Sequence, residues 1–310
     1  MVANDLSSPL VSVVVITYNS SATVLETLDS IKYQTYKNIE LIITDDASKD
    51  NTIDVCRSWL NKNSSRFIST QLITSSINTG VSGNANRGFF SCNGEWIKII
   101  AADDRLLPEC LNSNVAYINK NPNHGIVFSK IVGFGNLNTI AAKKCEWMDC
   151  HRVFECFTQR DFMKVLCFRN FLPAASVFIK KSVFVTLGGF NESIPFIEDW
   201  PFWVKYVSQG YSIGFNNAYT AEYRFSQHSV SQQSANKKNK KFIESNELAT
   251  NYAHSLLPKL GLGASLYSIT TYNRLKYNSL LWRIIHYINV FNPFFYHKKR
   301  TFKRLKEYLS

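Results

Sequence analysis

The sequence lacks the features that would assign it to several common functional classes. No run of apolar residues reaches the roughly 18–20 that a membrane-spanning helix needs. Residues 1–10 show neither the basic start nor the long apolar stretch of a signal peptide, so we expect a cytoplasmic protein. Neither Gly-x-Gly-x-x-Gly nor Gly-x-x-x-x-Gly-Lys-Ser/Thr occurs, and dinucleotide-binding and P-loop sites therefore lose their main support.

Paired cysteines are also absent. The chain has seven cysteines and no Cys-x-x-Cys motif, a pattern that predicts reduced core thiols. One group lies close together in sequence, formed by Cys145, Cys150, His151 and Cys156. Its spacing fits no standard zinc finger or ribbon, so buried thiols beside a surface histidine are the preferred interpretation.

Acidic residues are scarce at the carboxyl end. Residues 232–310 contain 14 Lys and Arg against 3 Asp and Glu, whereas residues 1–231 are almost neutral. In the last part of this region, Lys and Arg stand beside an apolar stripe of Phe302, Leu305 and Leu309. This pattern is typical of a helix on an anionic membrane surface, and an ordinary solvated helix is the alternative. No helix-turn-helix or RNA-recognition signature occurs, so we expect no nucleic acid partner.

Strand and helix signals alternate along the first hundred residues. β-Branched or apolar runs at 11–16, 39–44, 67–74 and 96–102 predict strands, with helix signals between them. Such alternation predicts an α/β fold with a mostly parallel twisted central sheet flanked by helices. Residues 106–231 are less regular; we predict helices at 108–119, 158–167, 181–187 and 199–208, with strands near 125–129, 176–180 and 219–223.

Two predicted strands end in a pair of aspartates. Asp45-Asp46 follows the strand at 39–44, and Asp103-Asp104 follows the strand at 96–102. Ligands of α/β sheets bind at the carboxyl ends of the strands, and carboxylate oxygens suit Mg²⁺ or Mn²⁺. The two pairs therefore indicate a nucleotide–metal site. Helix-capping or turn roles are the alternatives, the second pair then starting a helix at Pro108.

Five segments in this order resemble glycosyltransferase family 2, whose members have the GT-A fold. They cover about residues 11–231 and read as follows: Val13-Val14-Val15-Ile16-Thr17-Tyr18-Asn19, residues 42–52 with Asp45-Asp46, residues 78–88 from Asn78-Thr79-Gly80 to Asn86-Arg87-Gly88, residues 94–104 from Gly94-Glu95-Trp96 to Asp103-Asp104, and Gly188-Gly189-Phe190 followed by Glu198-Asp199-Trp200. The resemblance implies a nucleotide-sugar-binding half at 1–105, an acceptor-binding half at 106–231, and a basic helical C-terminal extension at 232–310.

The resemblance also implies a role for each matching residue. The nucleotide-sugar would be bound by Thr17, Tyr18, Asn19, Asp45, Asp46, Asn78, Gly80, Asn86, Asp103 and Arg224. Asp46 would accept a hydrogen bond from the uracil N–H, and Asp104 with His228 would bind Mn²⁺ or Mg²⁺. In the catalytic pair Glu198-Asp199, Asp199 would be the general base that deprotonates the acceptor hydroxyl. The alternative for Asp199 is a helix N-cap ahead of Pro201.

Several positions depart from the family pattern. Ala101 and Ala85 replace an aspartate and an arginine, and Ser226 stands where relatives have histidine, with His228 two residues later. Arg87 lies one helical step of about 100° beyond the usual cation, so its ability to replace that cation is left open. Arg224 has two interpretations, a phosphate ligand or the partner of a core carboxylate. For His228 the alternative is a solvent-exposed histidine, and Trp200 and Trp203 could stack on sugars or fill the core.

The predicted activity is inverting transfer of a sugar from a UDP-hexose or UDP-N-acetylhexosamine to a hydroxyl of a saccharide acceptor. The basic tail and the resemblance together imply an undecaprenyl-diphosphate-linked acceptor and a peripheral position on the inner face of the cell membrane. Surface polysaccharide biosynthesis, of O-antigen or capsule, would fit this placement. The alternative is a catalytically inactive glycosyltransferase-like binding partner, to which the departures at Ala85, Ala101 and Ser226 point.

Overall fold

The computed structural model describes residues 8–138, 154, 166–167, 170–226 and 240–256. The chain divides into two units, Met1–Ala253 and His254–Ser310, and only residues 254–256 of the second are among those described. The predicted divisions at residues 105 and 231 stay predictions. Within the described ranges, no helix is long and apolar enough to cross a membrane.

The first half of the main unit alternates strands and helices as the sequence predicts. Its elements are β1 (Val11–Thr17), α1 (Val24–Lys32), β2 (Ile39–Asp45), α2 (Thr52–Asn63), β3 (Ser69–Thr74), α3 (Gly80–Phe90) and β4 (Trp96–Ala101), with a short 3₁₀ turn at Ser64–Arg66. The four strands pair in parallel in the order β3-β2-β1-β4. Because parallel strands with crossover helices are covered on both faces, β1 and β2 are buried almost throughout.

The second half extends the same sheet with mixed pairing. Its described elements are β5 (Arg105–Leu106), α4 (Cys110–Lys120), β6 (Ile126–Gly135), a 3₁₀ turn (Ala174–Ser176), β7 (Phe178–Lys180), α5 (Lys181–Thr186), α6 (Asp199–Ser208), β8 (Gly214–Phe225) and α7 (Lys240–Ser255). The complete order is β3-β2-β1-β4-β7-β6-β8-β5. Strand β7 is antiparallel to β4 and β6, and β5 is antiparallel to β8, whereas β6 and β8 are parallel. The α/β class with a mostly parallel central sheet is therefore confirmed.

Close packing of α3 on the sheet depends on one glycine. A Cβ atom at Gly88 would lie 2.5 Å from Val14 Cγ1 and 3.0 Å from Thr44 Cγ2. Glycine is therefore needed where the helix crosses β1 and β2. This approach places the amino end of α3 beside the carboxyl end of β2.

A lysine lies inside the sheet, at a position where sequence reasoning found only an apolar strand. Lys98, in the middle of β4, is fully buried, and its ammonium donates to the carbonyls of Ala175 (2.5 Å) and Val177 (3.2 Å). Burial lowers the pKa of Lys98. Ser129 Oγ also donates to the carbonyl of Ser176, at 3.1 Å. These bonds fix the 3₁₀ turn to the interior of the sheet.

Most element predictions for the second half are confirmed where the structure describes them. The helix predicted from Pro108 begins two residues later, at Cys110, and the short strand β5 was not predicted. Of the helix predicted at 158–167, only residues 166–167 are described. Four cysteines, Cys56, Cys92, Cys110 and Cys167, are buried free thiols as expected, whereas Cys145, Cys150, His151 and Cys156 lie outside the described residues.

Candidate active site

Three neighbouring strands bring the predicted nucleotide residues to one edge of the sheet. Thr17 ends β1 and is paired with Asp45 at the end of β2, while Ile16 is paired with Ala101 at the end of β4. Beyond the strands, the Asp46 N–H donates to the Thr17 carbonyl at 3.1 Å. The two aspartate pairs therefore lie at the carboxyl ends of β2 and β4, on either side of β1, the position where α/β sheets bind ligands.

Asp45 is a fully buried carboxylate that closes the loop after β2. It accepts hydrogen bonds from Thr17 Oγ1 at 2.7 Å, from the Ser48 N–H at 2.8 Å and from Ser48 Oγ at 2.5 Å. Ala47, between these residues, has a left-handed φ of 64°. Asp45 thus holds the turn that aims Asp46, and its predicted contact with the nucleotide stays a prediction.

The buried Asp46 is surrounded by donors from α3. Its carboxylate accepts from the Thr79 N–H at 3.0 and 3.1 Å, from Thr79 Oγ1 at 2.8 Å and from the Gly80 N–H at 2.8 Å. The first two N–H groups at this helix end have no partner within the helix, and Asp46 satisfies them. A uracil N–H would therefore meet a carboxylate that is already well occupied.

Arg87 supplies the remaining partner of Asp46. Its guanidinium donates to Asp46 Oδ1 at 2.7 Å, to Thr79 Oγ1 at 2.7 Å and to Asn84 Oδ1 at 3.1 Å. The long Arg87 side chain thus brings a cation to the Asp46 carboxylate, while its replacement of the family arginine at position 85 stays a prediction. The structural reason is that the arginine reaches back along the helix toward its amino end.

Tyr18 and Asn19 lie on a loop that is joined to the next loop along the edge. Tyr18 is 48% exposed. The Asn19 N–H donates to Ser48 Oγ at 2.8 Å, and Asn19 Oδ1 accepts from the Lys49 N–H at 2.8 Å. The Ser21 N–H adds a bond to Asp50 Oδ2 at 3.1 Å. We name this group of bonds between residues 19–21 and 48–50 the loop latch.

Gly80 connects the nucleotide half with the segment that precedes Glu198-Asp199. It has a φ of +81°, and an added Cβ would lie 2.6 Å from the Pro195 carbonyl oxygen. Two residues later, the Ser82 N–H donates to that same carbonyl at 3.2 Å, and Ser82 Oγ donates to the Ile194 carbonyl at 2.6 Å. Asn78 Oδ1 accepts from the Gly80 N–H at 3.2 Å.

The Asn86 side chain, also on α3, contacts the segment from Phe190 to Glu192. Its amide donates to the Phe190 carbonyl at 3.0 Å and to Glu192 Oε1 at 2.8 Å, while its oxygen accepts from the Phe190 N–H at 2.9 Å. The structure thus places Asn86 as a support for the turn after Gly189. Its predicted contact with the nucleotide-sugar stays a prediction.

The second aspartate pair, Asp103-Asp104, is more buried than acidic side chains usually are. The pKa of Asp104 lies well above its usual value because the carboxyl is buried and stands beside Asp103, and burial also raises the pKa of Asp103. The backbone N–H of Arg224 donates to Asp104 Oδ1 at 2.8 Å. The two carboxyl groups offer hard oxygen ligands of the kind that a divalent cation takes, although no group of three or more ligand side chains occurs among the described residues.

Arg224 lies beside this pair but its guanidinium is engaged with protein groups. Nε donates to the Asp103 carbonyl at 2.7 Å, and Nη2 forms an ion pair with Glu26 at 2.6 Å. The guanidinium also stacks on Phe134 at 4.4 Å from the ring centroid. Arg224 thus pairs with a carboxylate, but Glu26 is 47% exposed and is not the core carboxylate of the prediction. The phosphate-ligand role stays a prediction. His228 lies outside the described residues, as does most of the region from 139 to 169.

The acidic pair Glu198-Asp199 stands at the amino end of α6. Asp199 Oδ2 accepts from Asn170 Nδ2 at 2.8 Å, and Oδ1 accepts from the Trp200 N–H at 2.6 Å. Burial, followed by the charge of Asp199, raises the pKa of Glu198 to about 8, and burial raises the pKa of Asp199. The hydrogen bonds favour ionised Asp199, so Glu198 is the member of the pair that keeps a proton.

The tryptophans after this pair are core residues. Trp200 and Trp203 are 4% and 1% exposed, and Trp200 Nε1 donates to the Leu166 carbonyl at 2.6 Å. Trp203 packs edge-on against Phe128 and Phe202. The core interpretation is therefore confirmed over sugar stacking.

Comparison with known proteins identifies the family. The model of Glycosyl transferase family 2 matches residues 12–183, which is more than half of the chain. The chain belongs to glycosyltransferase family 2. The predicted family is thus confirmed.

Individual glycosyltransferases show the same relationship. An uncharacterised glycosyltransferase of Rickettsia felis is 26% identical over 254 residues, which cover 81% of this chain and 39% of that protein. The chain thus spans about two fifths of the length of this relative. The crystal structure of S. aureus TarS 1-349 in complex with UDP-GlcNAc aligns with a TM-score of 0.60 at 16% identity, over 81% of this chain and 71% of that one.

A third similar protein is the mannosyltransferase PcManGT of Pyrobaculum calidifontis, in complex with GDP-Man and Mn²⁺. It aligns with a TM-score of 0.52 at 18% identity, over 97% of this chain and 85% of that one. At such identities the two structural likenesses show the fold alone. The GT-A fold predicted from the sequence is confirmed.

Sequence reasoning missed Asn170 and Lys98, and it left the reach of Arg87 open. No local pattern marks Asn170, because its partner Asp199 is 29 residues away in sequence. Arg87 carried a usable signal, namely a cation seven residues after Gly80 on the same helix, two turns from its amino end.

Proposed function

We propose that the protein transfers a sugar from a UDP-sugar to a hydroxyl group of a saccharide acceptor, with inversion at the anomeric carbon. The observation that carries this proposal is the placement of Asp45-Asp46 and Asp103-Asp104 at the carboxyl ends of β2 and β4, on either side of β1, in a member of glycosyltransferase family 2. Gly80 and Ser82 contact Pro195 and Ile194, so the segment leading to Asp199 borders the helix that holds Asp46. This arrangement supports a single site for donor and base.

The proposed donor site uses the edge formed by β1, β2 and β4. Thr17, Tyr18 and Asp46 would surround the uracil, and Asn78 with Gly80 would approach the nucleotide through the amino end of α3. Uracil binding through Asp46 requires one present donor to give way, for which the partly exposed Arg87 side chain is the best placed. A UDP donor agrees with the UDP-GlcNAc bound to the similar protein TarS.

The proposed metal is Mn²⁺ or Mg²⁺, held by Asp104 with Asp103 beside it and His228 as a further ligand. When bound, such a cation would stabilise the negative charge of the leaving diphosphate. The Mn²⁺ in the PcManGT complex supports this choice. We expect Asp104→Ala to remove metal-stimulated UDP release from UDP-N-acetylglucosamine, whereas an unchanged Mn²⁺ dependence would take Asp104 out of the site.

In the proposed reaction Asp199 is the general base. The proton of the acceptor hydroxyl moves to the Asp199 carboxylate while the acceptor oxygen forms a bond to the anomeric carbon. The bond between the anomeric carbon and the diphosphate oxygen breaks, and its electron pair leaves with UDP. Glu198, which is protonated near neutral pH, adds no second charge to repel the departing diphosphate.

Replacement of the base tests this assignment. We expect Asp199→Asn to bind UDP normally and to lose transfer by about 10²–10⁴-fold, the usual contribution of base catalysis. UDP affinity is measured by calorimetry and turnover by UDP release, after a screen of UDP-sugars with and without Mn²⁺ has identified the donor. Near-normal turnover of Asp199→Asn would refute the base assignment.

For the acceptor, we propose an undecaprenyl-diphosphate-linked saccharide of a surface polysaccharide such as O-antigen or capsule. The excess of positive charge in residues 232–310 supports a peripheral position on the anionic inner face of the cell membrane. We expect deletion of residues 294–310 to release the protein from vesicles that contain anionic lipid. If the truncated chain still sediments with these vesicles, the tail is not the anchor.

A catalytically inactive binding partner is the second candidate. It is favoured by the internal hydrogen bonds that occupy Asp46 and by alanine at positions 85 and 101. The donor screen separates the two candidates, because an inactive partner would bind UDP or its own protein partner but release no UDP from any sugar nucleotide in the presence of Mn²⁺.

A further inference from the structure

Among the described residues, Asn170 contacts the proposed base with its side chain from outside α6. Asn170 Nδ2 lies 2.8 Å from Asp199 Oδ2. In the part of the chain that the structure describes, the other donor to this carboxyl is the Trp200 N–H of α6 itself, and Glu198 is its acidic neighbour. An amide donor favours the ionised form of a carboxylate without adding charge.

The orientation of the Asn170 amide is fixed by its other end. Asn170 Oδ1 accepts from the Leu172 N–H at 3.1 Å, so the oxygen is directed into its own turn and the NH₂ group is directed at Asp199. A reversed amide would place an oxygen against the carboxylate and an NH₂ group against a backbone N–H. Both contacts would be repulsive, and the assignment of donor and acceptor is therefore determined.

The segment that carries Asn170 is anchored on two sides. Lys98 donates to the carbonyls of Ala175 and Val177 from inside the sheet. Trp200, the residue after Asp199, donates from its indole to the Leu166 carbonyl. These bonds anchor Leu166 and the residues from Ala175 to Val177, which lie on either side of Asn170 in the sequence.

We propose that Asn170 is a positioning residue that holds Asp199 as the ionised member of the Glu198-Asp199 pair. The inference rests on the proposed function, since it assumes that Asp199 is the general base. One oxygen of Asp199 is oriented by Asn170 and the other by the Trp200 N–H, and their remaining lone pairs are left for the acceptor hydroxyl. The protonated Glu198 then completes a pair with one negative charge.

The test uses Asn170→Asp and Asn170→Ala in the full chain. Asn170→Asp keeps the oxygen that Leu172 needs but replaces the donor with a negative charge, and Asn170→Ala removes both contacts. In UDP release from UDP-N-acetylglucosamine with Mn²⁺, we expect the acidic limb of the pH–turnover curve to move up by about one pH unit or more in both variants. The KM for the donor should stay within about twofold.

Asn63→Ala is the matched control, because Asn63 also donates its amide to a single partner, the Trp59 carbonyl, at the far end of α2. Its pH–turnover curve should coincide with that of the unmodified chain. A lower turnover for the Asn170 variants with an unmoved acidic limb would overturn the proposal, since a merely structural role lowers the amount of active protein without changing the pH dependence.

A second measurement does not depend on activity. Thermal unfolding of Asn170→Ala, Asp199→Asn and the double variant forms a mutant cycle at pH 8. We expect Asn170→Ala to lower the Tm more in the unmodified chain than in the chain that already carries Asp199→Asn, and an equal loss in both would overturn the proposal. If Asp199→Asn itself retains turnover, the proposed base fails, whereas the measured coupling between the two side chains remains valid.

Discussion

Two acidic pairs of the protein look alike in sequence and differ in their surroundings. Asp46 accepts hydrogen bonds from two backbone N–H groups, a threonine hydroxyl and Arg87. Asp199 accepts one amide N–H and one backbone N–H, beside a second acid. The donors around Asp46 join β2 to α3. Because few donors stabilise negative charge at Glu198-Asp199, that pair keeps one proton. The number of donors thus separates a carboxylate that supports the fold from one that is available to exchange a proton.

The largest effect on stability should come from removing the Asp46 carboxylate. We expect Asp46→Ala to lower the free energy of unfolding by about 3 kcal/mol, because it leaves the Thr79 and Gly80 N–H groups and the Arg87 guanidinium without their acceptor. Urea unfolding measures the change. The control is Asp54→Ala, which removes an exposed ion pair with Arg57 and should cost less than about 1 kcal/mol. Equal losses in the two variants would show that the donors around Asp46 stabilise the fold no more than an exposed ion pair does.

Replacing Glu198 should raise the free energy of unfolding, whereas replacing Asp46 should lower it. Its folded-state pKa is raised to about 8, so the folded protein holds this proton more tightly than the unfolded chain does. The associated stability is complete below about pH 4.5 and is lost as the pH rises to about 8. We therefore expect Glu198→Gln to be more stable than the unmodified chain by about 2 kcal/mol at pH 8, with the gap closing toward pH 4.5.

The measurement is chemical unfolding at several pH values between 4.5 and 8. Glu95→Gln is the control, because Glu95 is 56% exposed and faces Lys180 at 3.5 Å. A constant gap between Glu198→Gln and the unmodified chain across this range would show that Glu198 does not hold the proton.

Gly88→Ala tests whether the donors around Asp46 depend on the close approach of α3 to the sheet. The added methyl would lie 2.5 Å from Val14 Cγ1, so we expect a loss of about 2 kcal/mol from overpacking. The exposed Asn61→Ala in α2 should change stability by less than about 0.5 kcal/mol. A tolerated alanine at position 88 would mean that α3 can move while Asp46 keeps its partners.

The smallest effect should come from Ala47, the residue after Asp46. Its φ of 64° is unfavourable for a residue with a Cβ atom. We expect Ala47→Gly to raise the free energy of unfolding by up to about 1 kcal/mol, measured by urea unfolding. Ala102→Gly, at a buried position without a left-handed φ, should instead lose about 1 kcal/mol. A loss at both positions would show that the turn bears no strain.

Much of the fold and part of the candidate site follow from local patterns. The runs before Asp45 and Asp103 predict their strands because buried parallel strands are continuously apolar, and acidic pairs after them fall at the sheet edge by geometry alone. Asn170 and Glu26 could not be found this way, because their partners Asp199 and Arg224 are separated by long sequence intervals that only the folded chain closes. Lys98 escaped notice because its partners are backbone carbonyls, which every residue possesses.

The loop latch has a consequence for how a nucleotide would enter. Asn19 is bonded to both Ser48 and Lys49, and Ser21 is bonded to Asp50. The two turns joined by the loop latch are therefore expected to move together, so that neither turn alone closes over an incoming base. Little conformational entropy would then be lost in these turns when a nucleotide binds. Selectivity for the base would come from the fixed shape of the two turns more than from their closure around the base.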